Sequence, residues 1–169
     1  LNFKAGFIVV FRIFTLVFFS ILVSACATSF HTPHATGHYA SSPVQCVPHA
    51  RAVSGVQIYG DAHTWWDQAN PPRYGRSAWP RAGSVMVLAR TARMRHGHVA
   101  VVKQVLNNRE ITVSHSNWGS DRKNRRIIYD SVRVRDVSVA NDWSSVSFWN
   151  HGGQNFGFPY AVRGFIYRQ

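Results

Sequence analysis

One cysteine and one histidine stand where a thiol nucleophile and its base would be expected. Cys46 opens the stretch Cys46-Val47-Pro48-His49-Ala50-Arg51-Ala52-Val53-Ser54-Gly55. Val47, Ala50 and Val53 recur at helical spacing. Proline is tolerated in a first helical turn, and glycine is a natural stop. This predicts a short helix over 46–54 with the cysteine at its N-terminus, where exposed N–H groups and the helix dipole favour a thiolate. The side chain of Gln45, or the backbone N–H of Cys46, could bind a developing oxyanion. The plainer alternatives are a buried structural cysteine and a loop glutamine. His98 opens the apolar run Gly97-His98-Val99-Ala100-Val101-Val102 and is the candidate base. His96 could stand in for it; His49 and His63 have no comparable placement.

These groups need a sheet to hold them. Segments 84–89, 98–106 and 111–117 read as strands, rich in Val, Ile, Met and Leu. With Asn107-Asn108 as a two-residue hairpin loop, Leu106 pairs with Arg109, Val102 with Val113, Ala100 with His115 and His98 with Asn117. His98, His115 and Asn117 then share one face. Either His115 or Asn117 would hold the His98 ring in the useful tautomer. A three-residue loop would put His98 on the opposite face from both. Asp61 is expected to cap a second helix over 62–69, ended by Pro71-Pro72. Its Trp65 and Trp66 would pack the core or wall the cleft. Further strands are expected over 127–139, 143–150 and 161–167, with a charged turn at 121–126 and a loop at 152–159. Trp118, Trp149 and Phe156 either pack the sheet or line the cleft.

Composition narrows the chemistry. The chain has 169 residues, 46% of them hydrophobic, enough for one domain and a leader. Lys and Arg number 19 against 7 Asp and Glu, a formal charge of +12 that favours anionic partners. No zinc-finger spacing, basic zipper or RNA-binding signature appears, so nucleic acid is not expected. The scarce carboxylates weigh against a glycosidase and against a calcium site. His31, His34 and His38 lie in a segment without cysteine or carboxylate neighbours, and no metal or other cofactor is expected.

Lys4 and Arg12 precede an uncharged apolar run, 13–25, followed by small residues, which reads as an export signal. A retained membrane anchor is the alternative. Residues 26–42, rich in Thr, Ser, His, Pro, Gly and Ala, read as a flexible linker to a domain over 43–169. The two cysteines, Cys26 and Cys46, could pair, but different fates are expected for them.

Two resemblances follow. Val23-Ser24-Ala25-Cys26 resembles the lipobox of bacterial lipoproteins, which implies cleavage before Cys26 and its lipidation. Cleavage after Ala25 or Ala27 without lipid also fits. Secondly, Gln45-Cys46, Pro80-Arg81-Ala82-Gly83-Ser84-Val85, Gly97-His98-Val99-Ala100-Val101-Val102 and Ser114-His115-Ser116-Asn117-Trp118-Gly119 resemble, in that order, the CHAP family of cysteine, histidine-dependent amidohydrolases and peptidases. The resemblance implies a papain-like α+β fold, a nucleophile helix packed on an antiparallel sheet or half-barrel. It implies cleavage of peptidoglycan amide bonds, at the muramoyl–alanine link or within the peptide, by Cys46 and His98. Many members carry Glu-x-Asn where this chain has His115-Ser116-Asn117. A monomeric enzyme, exported to the periplasm or cell envelope and lipid-anchored to a membrane, is expected. The alternatives are a catalytically silent wall-binding lipoprotein and a histidine-based metallohydrolase.

Overall fold

Strands buried on both faces require a covering layer on each side, and that requirement shapes this domain. The computed structural model describes residues 35–169. Its strands are β1 (Ala35–Tyr39), β2 (Tyr74–Ser77), β3 (Val85–Leu88), β4 (His98–Val105), β5 (Glu110–Ser116), β6 (Ile127–Asp136), β7 (Ser145–Asn150) and β8 (Asn155–Arg168). Two α-helices are described, α1 (Cys46–Ser54) and α2 (Trp65–Gln68). All strand pairs are antiparallel. Strands β3, β4, β5, β6, β7 and β8 pair in a ring, a closed six-stranded barrel. Outside the ring, β1 pairs with β6 and β2 with β8. The described domain is mostly β.

Parity sorts the core. Met86, Leu88, Ala100, Val102, Ile111, Val113, Val132, Val134, Val146, Phe148 and Phe165 form one apolar cluster. It draws on every strand of the ring and so fills the barrel. The alternate residues Val85, Val87, Val99 and Val101 join Ala50, Val56, Ile58 and Trp65 in a second cluster. This one lies between the outer face of the sheet and the helices. Helix α1 ends as expected: Gly55 takes φ +70° and its N–H bonds the Arg51 carbonyl.

Several expectations need correction. Residues 35–39 are not linker but β1, hydrogen-bonded along β6, because a free sheet edge recruits extended backbone whatever its composition. The segment over 62–69 is a 3₁₀ turn (Ala62–Thr64) followed by the single turn of α2. The Asp61 side chain makes no cap; it pairs with His96 at 3.0 Å. The loop expected over 152–159 ends early, since β8 starts at Asn155 and runs 14 residues. Strand β2, a segment to which the sequence reading assigns no element, lines the far edge of β8. The export signal, Cys26 and the first part of the linker lie outside the described residues.

The hairpin of β4 and β5 departs in two ways that cancel. Leu106 N–H bonds the Glu110 carbonyl, so the loop holds three residues, Asn107 to Arg109, with Asn107 Oδ1 accepting from the Arg109 N–H. That alone would reverse the faces. A bulge between Val102 and Gln104 inserts one extra residue and reverses them again. Beyond it, Val102 pairs with Val113 and Val101 with Ser114, the register expected for the catalytic end.

Candidate active site

Sheet parity brings two histidines together at one end of the barrel. His98 begins β4 and His115 lies near the end of β5, both buried. His98 Nε2 and His115 Nδ1 share a hydrogen bond at 2.9 Å. The His115 ring stacks on Phe148, with Tyr129 and Trp118 around it. Its Nε2 is buried without a hydrogen-bond partner among the described residues. Trp118 also lies against His98, ring centroids 4.6 Å apart. With Nε2 committed to His115, Nδ1 is the His98 nitrogen left for a reacting partner.

The stretch before His98 is held by close backbone packing. Gly97 has φ +69°, and a Cβ there would come within 2.8 Å of His63 N and Cβ. The His63 N–H bonds the His96 carbonyl at 3.0 Å. Only glycine meets both demands, a left-handed backbone and no side chain.

Cys46 enters from the other layer. Helix α1 packs on the outer face of β4 and β5, and its first residue reaches the cleft that His98 also lines. This cleft, about 860 Å³, is lined by Gln45, Cys46, His98, Asn117, Trp118, Tyr160 and a rim of polar side chains. Position at a helix start does not set the thiol's acidity here. Burial pushes the Cys46 thiol up, against the N–H groups of Val99, Val47 and Cys46, which act in the opposite direction. The expected acidification is therefore corrected: desolvation outweighs the helix terminus. Burial likewise pushes His98 down to about 3, with charge on His49 a smaller contribution. Burial holds His115 well below the usual imidazole range. At neutral pH the centre is a thiol beside two neutral imidazoles.

Asn117 does not pair with His98. It lies past the end of β5 with φ +55°, a left-handed residue that leaves the strand's alternation. Its Nδ2 donates to Gln45 Oε1 at 2.6 Å, joining the residue after β5 to the residue before α1, both of which line the cleft. Gln45 keeps both of its own N–H donors for other partners. His115, not Asn117, is thus the group that contacts His98. His96 lines the cleft but is exposed and paired with Asp61. Trp65 is wholly buried and Trp66 packs over Gly164, so neither walls the cleft. Trp149 and Phe156 pack on each other.

His49, passed over in the sequence, belongs to this neighbourhood. It follows Cys46 by three residues on α1, and its Nε2 bonds Ser114 Oγ at 2.8 Å. Ser114 points outward from β5, opposite in parity to His115, so it meets the helix. The i, i+3 spacing from Cys46 was the available signal. Among the described residues, no three His, Cys, Asp or Glu side chains are grouped as metal ligands would be.

These features amount to a β-barrel domain with one helix laid across it and a cysteine and a histidine in a shared cleft. Residues 36–117 match the family model of the CHAP domain, and over that segment the chain is similar to the CHAP family. The match begins within β1 and ends at Asn117, so the strands β6, β7 and β8 that close the barrel lie beyond it. The family is associated with hydrolases, of the peptidoglycan-related amidase or peptidase kind. No curated protein matches the chain.

Proposed function

We propose that this protein is a cysteine amidohydrolase that cleaves amide bonds in the peptide part of peptidoglycan, at the muramoyl–alanine link or within the peptide. The observation that carries the reading is the 2.9 Å bond from buried His115 to His98, which lines the cleft that holds Cys46. A histidine so fixed has one ring nitrogen committed and the other left for the cleft. With Nε2–H donated to His115, Nδ1 carries the lone pair that a base requires.

In this mechanism Cys46 Sγ attacks the scissile carbonyl carbon as its proton passes to His98 Nδ1. The Gln45 amide and the Cys46 backbone N–H hold the oxyanion. The imidazolium returns the proton to the leaving nitrogen, the C–N bond breaks, and a thioester remains. Water, deprotonated by His98, then releases the acid and the free thiol. His115 orients His98, in the place where many relatives of this pattern use a carboxylate. On the same reading the helix-on-barrel arrangement is of the papain-like kind. Export and lipidation at Cys26 would place the domain in the cell envelope as a monomer facing its polymer.

The test is release of soluble muropeptides from purified peptidoglycan by wild type and Cys46→Ala, with mass spectrometry of the fragments. Release by wild type alone, with new amino and carboxyl or lactyl ends, is expected. Equal release by both would end the thiol mechanism. Binding to peptidoglycan with no release by either would leave the silent wall-binding reading in its place.

A further inference from the structure

The cleft is charged unevenly. Arg93 and Arg95, from the loop between β3 and β4, line it, as does Arg125, from the turn before β6. Asp61 is the carboxylate in its wall, and it is engaged by His96 at 3.0 Å. Elsewhere among the described residues four arginines are matched to acids. Glu110 takes Arg133 and Arg135, Asp67 takes Arg163, and Asp136 faces Arg109. Among the described residues, no ion pair involves Arg93, Arg95 or Arg125. Arg125 is steadied through its Nε, which donates to the Gly119 carbonyl at 3.1 Å, leaving its terminal amino groups free to face a ligand.

Guanidinium groups select planar oxyanions because their paired N–H donors match the spacing of two oxygens. A concave, partly apolar wall strengthens such fields by excluding water. Because the cations share the cleft with Cys46, a chain seated there for cleavage brings its own anions to them. Resting on the function proposed above, we infer that the preferred substrate is a peptide bearing free carboxylates beside the scissile bond, recognised by Arg93, Arg95 and Arg125. Amidated peptides of the same sequence fit the same cleft but leave these cations without a partner.

The experiment compares two synthetic stem peptides that differ only in having acidic side groups free or amidated. Binding is measured calorimetrically to Cys46→Ala and turnover is measured with wild type. Exposed charge pairs contribute modestly, so three together predict roughly a ten-fold advantage in Kd and kcat/KM for the free acid, shrinking with added salt. In the triple variant R93Q/R95Q/R125Q that ratio is expected to approach one. In the charge control R73Q, whose arginine lies outside the cleft, it is expected to persist. Equal binding of the two peptides to Cys46→Ala overturns the proposal, as does a preference that survives in the triple variant. A poly(glycerol phosphate) arm separates the other source of oxyanions. Tighter binding of that polymer, without discrimination between the peptides, would also overturn it. Discrimination in binding without turnover by wild type would sustain the carboxylate site and refute the hydrolase reading instead.

Discussion

Replacing His115 by glutamate tests the electrostatics of the centre directly. His98 Nε2 lies 2.9 Å from His115 Nδ1, so a glutamate carboxylate would approach the same ring nitrogen. Opposite charges about 4 Å apart at an effective dielectric of ~20 attract by about 4 kcal/mol, or roughly three pKa units. That is enough to bring His98 back from about 3 toward its ordinary range. Burying the carboxylate among Phe148, Tyr129 and Trp118 is offset only when His98 is protonated, so the two groups titrate as a pair. The assay is the rate of Cys46 alkylation by iodoacetamide against pH, in a Cys26→Ser background. Wild type is expected to lose about ten-fold in rate per pH unit between about pH 8 and 6, because only thiolate reacts and burial holds the thiol protonated. His115→Glu should show a raised shoulder across that range, the signature of a thiolate–imidazolium pair. A flat wild-type profile over those two units would refute the desolvation argument. An unchanged profile in the variant would refute the His98–His115 contact.

Other outcomes follow from the same geometry. Gly97→Ala should destabilise the domain by about 1–3 kcal/mol in urea unfolding and slow alkylation of Cys46, since φ +69° and a Cβ 2.8 Å from His63 move the entry to His98. Asn117→Ala should lower kcat about ten-fold with little change in KM, because it releases the Gln45 amide that the 2.6 Å bond fixes. Acidification should destabilise the fold. His98 and His115 have folded pKa values below the unfolded 6.5, so their contribution is full above that value and is lost as pH falls toward about 3 for His98. From pH 7 to 5 the loss should be about 2 kcal/mol for His98, with a further loss in the same direction from His115, read from denaturant midpoints. Glu110→Gln should cost about 1–3 kcal/mol in the same assay, leaving Arg133 and Arg135 without their shared carboxylate.

Local chemistry explains what was legible. The limits of α1 follow from Pro48, the Val47–Ala50–Val53 stripe and Gly55, all interactions within ten residues. Most strands carried alternating or continuous apolar runs, and β3, β4 and β5 came within a residue or so of their expected limits. Strands β1 and β2 lack such patterning. They are strands because long partners, β6 and β8, offer them open edges.

The residue types at the centre, Cys46, His98, His115, Gln45 and Asn117, were determined by the sequence alone, together with the helix start that presents the cysteine. Tertiary structure decided which of them touch. Register parity is a sum over every loop residue and bulge, and the three-residue loop and the bulge after Val102 cancel only in the folded hairpin. The left-handed turn of Asn117 sent its amide to Gln45 and left His115 as the partner of His98. Acidity, too, was a tertiary matter. A helix terminus acts through the nearest N–H groups, whereas desolvation depends on all that packs around the thiol, and here burial is the larger effect.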